Sequence, residues 1–235
     1  MENQEFVLAN VDDGSQIDIY VSRPQTKGKY PSVILLQEAF GVNSHIRKVS
    51  DRLAKEGYVV VAPDLFHRTA KRFEGGYDDF GLVAPHFQAI TKEGLTADLK
   101  TCYSWLQQQA DVVHEKIGSI GFCLGGRVSF IANAVLPLSA AVSYYGGGIH
   151  LLLDEVKNLH APQLFFWGGL DKHIPHEQVE TVIAALKTAG KEHINVEISY
   201  ANHAFSCDER ANYHPQAAAE AWALTLAFFE NKLKK

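Results

Sequence analysis

Three residues far apart in the chain have side chains suited to acyl transfer: Cys123 in GFCLGG, Asp171 in GGLDKHIP and His203 in YANHAF. Glycines two residues before and two after Cys123 give the spacing of a sharp strand-to-helix turn that lifts a nucleophile to the top of a sheet. At a helix N-terminus, unpaired backbone N–H groups and the helix dipole favour a thiolate over a thiol. A histidine could then exchange a proton with nucleophile and leaving group, while an aspartate held its tautomer and stabilised its charged form. Singly, each residue has a plainer explanation. A free cysteine is commonly a small buried hydrophobe, an aspartate ahead of a proline-started helix is often a cap, and a lone histidine is usually structural. The case rests on the three together.

The elements that must position them follow from hydrophobic pattern. Two alternating segments, 6–9 and 16–21, flank Asp12-Asp13-Gly14-Ser15 and predict an antiparallel hairpin. From Ser32 onward, apolar runs rich in β-branched residues alternate with helix-period segments: SVILLQ, YVVVAP, KIGSIGF, SAAVSYY, QLFFWG and INVEISY. Helices are expected near Ser44, over 92–109, after Cys123, from Pro175, and over 215–232. This order implies right-handed crossovers and a doubly wound, mostly parallel α/β sheet, with helices on both faces and the hairpin at one edge. Residues 67–85, rich in glycine and charge, read as a mobile loop. Ligands of such sheets bind beyond the carboxyl ends of the strands. Cys123, Asp171 and His203 all follow predicted strands, as does Glu38 in QEAFG.

Composition excludes other classes. The 235 residues carry no internal repeat or composition break, and one domain over 1–235 is expected. A formal charge of -5 with scattered Lys and Arg gives no stripe for nucleic acid or an anionic membrane. The start, MENQEFVLAN, does not read as a secretory signal, and no apolar run is long enough to span a bilayer, so a cytoplasmic location is expected. Three cysteines in such a chain are expected to be free thiols. His173 and His176 flank Pro175, which breaks the spacing that would aim both at one ion, so no metal and no cofactor are expected.

With QEAFGVN at 37–43, APDLFHR at 62–68, GFCLGG at 121–126, YYGGGI at 144–149, GGLDKHIP at 168–175 and NHAF at 202–205, the chain resembles the dienelactone hydrolase family, carboxymethylenebutenolidase-type α/β-hydrolases. That resemblance implies an α/β-hydrolase fold with Cys123, Asp171 and His203 as the triad. It also implies that Glu38 helps deprotonate the cysteine once substrate is bound. The backbone N–H groups of Leu124 and Ala39 are the expected oxyanion donors. Tyr145, Phe40, Arg68, Arg72 and Arg210 are candidate substrate contacts. Family members active on dienelactone are expected to hold its carboxylate with an arginine four residues after the histidine, and Cys207 stands there, which counts against dienelactone itself.

The leading expectation is a cofactor-free hydrolase of a small ester or lactone, a monomer or weak homodimer, working through an acyl-enzyme. A non-catalytic binding module on the same fold competes with it, although such a module needs none of Glu38, Cys123, Asp171 and His203 together. A thiol redox protein would lack a CxxC pair and would depend on Cys207 as partner to Cys123.

Overall fold

The computed structural model describes residues 4–235. Eight strands form a mostly parallel sheet in the order β1-β2-β4-β3-β5-β6-β7-β8, with the antiparallel β1–β2 hairpin at one edge. The chain divides inside β5 into two compact units, Met1–Ile117 and Gly118–Lys235.

In the first unit, β1 (Gln4–Asn10) pairs antiparallel with β2 (Gln16–Ser22), and β2 with β4 (Val59–Pro63), Ile19 facing Pro63. β3 (Tyr30–Leu36) runs parallel to β4, Ser32 facing Val59. All five residues of β4 are buried, which explains why it reads as an unbroken apolar run. α1 (Ser44–Lys55) buries Ile46, Val49, Ser50 and Leu53, one helical face, and the Asn43 side chain accepts the Ile46 N–H at 3.2 Å as its N-cap. α2 (Phe80–Gln88) and α3 (Lys92–Gln107) follow, capped by Asp79 and Thr91.

Residues 67–85, expected as a mobile loop, are tied down at many points and contain most of α2. The Gly75 N–H donates to Phe40 O at 3.1 Å, Arg47 pairs with Glu74 at 2.7 Å, and Asn43 Nδ2 donates to the Tyr77 hydroxyl at 2.9 Å. A Cβ at Gly41 would lie 1.8 Å from Phe73 O, so the turn after β3 and this segment meet backbone to backbone. Phe73, Tyr77 and Phe87 pack on Ala39, Phe40 and the buried Val83.

In the second unit β5 (Val112–Phe122), β6 (Ala140–Tyr144), β7 (Gln163–Gly168) and β8 (His193–Ile198) pair in parallel, with Gly118 facing Ala140, Ala141 facing Gln163 and Gln163 facing His193. Three helices connect or follow them: α4 (Leu124–Val135), α5 (His176–Thr188) and α6 (Pro215–Phe229), the last running into a π turn over Glu230–Lys234. α4 is buried along most of its length, as a helix against a sheet of apolar strands must be. Among the described residues, no helix is long and apolar enough to cross a membrane.

Candidate active site

Cys123 occupies the single residue between β5 and α4, with φ 55 and ψ -114, a backbone conformation that costs a non-glycine residue about 1–3 kcal/mol. Its neighbours fix it there. The Cys123 N–H donates to Tyr144 O at 3.0 Å, and its carbonyl accepts the N–H groups of Gly126 at 3.0 Å and Arg127 at 3.3 Å. The glycine spacing now has a steric cause. A Cβ on Gly121 would lie 1.9 Å from Gly125 O, and one on Gly126 would lie 2.5 Å from Tyr144 O and 2.9 Å from Gly146 Cα. Strand, elbow and helix therefore approach at distances that only glycines allow. Gly146 supplies the bare backbone against which Gly126 packs.

Asp171 lies just beyond β7. The turn is stitched to the segment ahead of His203, the Gly169 N–H donating to Ile198 O at 2.8 Å and the Leu170 N–H to Ala201 O at 2.9 Å. These bonds bring the two side chains together: His203 Nδ1 is 2.7 Å from Asp171 Oδ2, while the other carboxylate oxygen accepts the His173 N–H at 2.8 Å. Asp171 and His203 are both buried. On its opposite side the imidazole hydrogen-bonds the Cys123 side chain. The second unit thus unites three of the residues singled out in the sequence.

Electrostatics follow from this contact. Burial by itself pushes the His203 imidazolium down, but hydrogen bonds to Asp171 and Cys123 and their negative charges outweigh it and raise the group to about 10. Burial pushes the Asp171 carboxyl up, and the hydrogen bond and charge of His203, with the His173 N–H, more than offset it and hold the carboxyl below its ordinary range.

Other expected residues have varied surroundings. Leu124 opens α4 immediately after Cys123. In the first unit, Glu38 and Ala39 are buried directly after β3, and the neighbouring Gln37 accepts the Leu65 N–H at 3.0 Å. Phe40 is buried with its ring 4.7 Å from Tyr77. Arg68, expected as a substrate contact, instead grips Asp98 at 2.8 and 2.9 Å and Asp13 at 2.6 Å. Arg72 likewise spends its guanidinium on buried Asp18 at 2.6 Å and on the face of Phe6 at 4.2 Å. Both arginines are structural ties whose acidic partners lie too far off in sequence to be anticipated. Arg210 is half-buried in a turn where its N–H donates to Cys207 O at 3.1 Å. Tyr145, another expected substrate contact, is 0% exposed, and its hydroxyl shares a hydrogen bond of 2.7 Å with Ser206. Cys207, where a carboxylate-binding arginine was expected, is buried.

Two residues at the site escaped the sequence reading. Ser206 had no motif to mark it beyond lying three residues after His203. His173, considered in the sequence only as a metal ligand, places its ring 5.3 Å from that of His203 in an edge-to-face contact. Arg127, in the first turn of α4, is pushed down by burial and opposed by the charge of nearby Cys123.

Comparison with known proteins agrees with this geometry. Residues 17–233 match the dienelactone hydrolase family. A relative from Synechocystis, provisionally named a carboxymethylenebutenolidase, is 35% identical over 229 residues, covering 93% of each chain. One with the same provisional name from Escherichia coli K12 is 37% identical over 235 residues, covering 92% of this chain and 83% of its own. A crystal structure from Klebsiella pneumoniae, provisionally a dienelactone hydrolase, superposes with a TM-score of 0.86 at 33% identity, covering 96% of this chain and 98% of that one. On the elbow, the buried His203–Asp171 contact and this shared sequence along nearly its whole length, the chain belongs to the dienelactone hydrolase family.

Proposed function

We propose that the protein hydrolyses a small carboxylic ester or lactone without a cofactor, through an acyl-enzyme on Cys123. The observation that carries this reading is the chain of contacts from Asp171 through His203 to the cysteine of the elbow. The Cys123 thiol gives its proton to His203, and its sulfur attacks the substrate carbonyl carbon. The resulting oxyanion is met by the backbone N–H of Leu124 and, from the turn after β3, by that of Ala39. Collapse breaks the carbon–oxygen bond, and the departing alkoxide takes the proton from His203, leaving a thioester. A water then yields its proton to His203 as its oxygen attacks the thioester, and the second collapse returns the sulfur as leaving group.

The raised His203 supports this sequence of transfers, because an imidazole that binds a proton firmly accepts it readily from a thiol. Glu38 assists ionisation of Cys123 as substrate arrives. Support for that assignment is its burial at the carboxyl end of β3, where ligand sites of open parallel sheets lie. The reading commits to the bond cleaved and leaves the substrate as a small ester or lactone. With Arg68 and Arg72 engaged by aspartates and Cys207 at the position of the expected arginine, dienelactone is not the substrate favoured.

Replacement of Cys123 by alanine tests the reading. The variant should fold and lose turnover of a small aryl ester such as p-nitrophenyl acetate, while the wild type shows a stoichiometric burst of alcohol release. Turnover by the purified variant at the wild-type rate would remove Cys123 from the mechanism.

A further inference from the structure

Tyr145 is a hydrophobic aromatic residue in an unfavourable backbone conformation, and it touches both halves of the catalytic apparatus. Its φ is 38, in the left-handed region that aromatic side chains rarely adopt. The preceding carbonyl, Tyr144 O, accepts the N–H of Cys123 at 3.0 Å, and the Tyr145 N–H itself donates to Phe166 O at 2.8 Å. The ring then lies 5.0 Å from that of His203 and packs edge-on against Phe205 at 5.3 Å. Its hydroxyl meets Ser206 at 2.7 Å, on the turn that carries His203.

That turn needs outside support. Ala204, directly after His203, has φ 63, another non-glycine residue with positive φ. Backbone bonds from Cys207 N to Ala204 O and from His214 N to Phe205 O close the far side of the turn. On the near side, the Tyr145–Ser206 bond joins it to the end of β6. Zero exposure leaves the Tyr145 side chain no surface for a substrate, whereas its contacts reach the cysteine elbow through the backbone and the histidine turn through the ring and hydroxyl.

We infer that Tyr145 and Ser206 act as one positioning pair that sets the angle of the His203 imidazole toward Cys123. The pair holds the histidine steady through both proton transfers, in which the same ring must serve first the thiol and then a water. This inference rests on the proposed function for its kinetic consequence, but its geometric content is separate.

The test uses Tyr145→Phe, Ser206→Ala and the double variant in the intact protein. Each single change is expected to lower kcat for p-nitrophenyl acetate about tenfold with KM unchanged, in line with loss of one part-buried hydrogen bond. The double variant should fall no further than the more damaged single one, since both remove the same interaction. A loosened imidazole also binds its proton less firmly, so the His203 titration followed by NMR should move to lower pH in both single variants. An unchanged kcat, a change confined to KM, or multiplying losses in the double variant would overturn the pairing. If the wild type hydrolyses no ester, the proposed function fails by itself, and the NMR titration decides the pairing: a downward shift supports it and an unmoved midpoint refutes it.

Discussion

Replacing Asp171 by asparagine removes one negative charge at 2.7 Å from His203 Nδ1 while keeping size and shape. A hydrogen bond to a charged group contributes roughly 1.5–3 kcal/mol and a neutral one roughly 0.5–1.5, so the imidazolium loses about 1–1.5 kcal/mol of stabilisation. At 1.36 kcal/mol per pH unit, the His203 midpoint should fall by about one unit from its value of about 10. Kinetic damage should be larger than this, because the amide can present its NH2 group to Nδ1 and force the proton to Nε2, on the side facing Cys123. Loss of the correct tautomer in a catalytic triad lowers kcat by on the order of 10⁴. Ester hydrolysis at pH 7 and an NMR titration of the imidazole measure the two effects separately. Stability adds a third reading with a definite sign. The raised histidine stabilises the fold fully below its ordinary 6.5 and progressively less as pH rises through about 10. The lowered aspartate contributes fully above its ordinary 3.8 and loses its contribution as pH falls further. The difference in unfolding free energy between wild type and Asp171→Asn should therefore be widest between about pH 4 and 6.5 and narrow on both sides. Wild-type kcat together with an unmoved His203 midpoint would refute the assignment of the pair.

Two further perturbations probe the elbow and its surroundings. Gly121→Ala places a Cβ 1.9 Å from Gly125 O, a collision with backbone that no side-chain rotation relieves, so it should destabilise by about 3 kcal/mol or more in urea unfolding; a loss below 1 kcal/mol would contradict the close approach. Glu38→Gln should slow the burst of acylation on a small ester severalfold and leave the thermal midpoint within a few degrees of wild type; an unchanged burst rate would remove Glu38 from the ionisation of Cys123.

Much of the sheet was readable from sequence because its inner strands β4, β6 and β7 are buried on both faces and so appear as unbroken apolar runs; QLFFWG coincides with β7. The exceptions are informative. β5 begins at Val112, ahead of the predicted run, because His114 and Glu115 are exposed residues that break the apolar signal without breaking the strand. α2 gave no helical period since only Val83 of its nine residues is buried and Pro85 lies inside it; tertiary packing by Phe73, Tyr77 and Phe87 sustains it. At the candidate site, Cys123, Asp171 and His203 were legible because each follows a strand. The engagement of Arg68 and Arg72 was not, for a guanidinium on a loop looks the same in sequence whether its partner is a substrate or a remote aspartate. Ser206 was hidden for a like reason, its importance depending wholly on where Tyr145 points.

The order of Cys123, Asp171 and His203 along the chain also bears on how the protein comes into being. A ribosome delivers the N-terminal side first. Cys123 therefore emerges before β6, β7, α5 and β8, and those elements must find their register before Asp171 and His203 can be stitched together. Until then the cysteine has no histidine to take its proton. From the emergence of Cys123 until the last strand pairs, the nascent chain thus carries this thiol without its histidine, and their contact comes into existence only once β8 has joined β7.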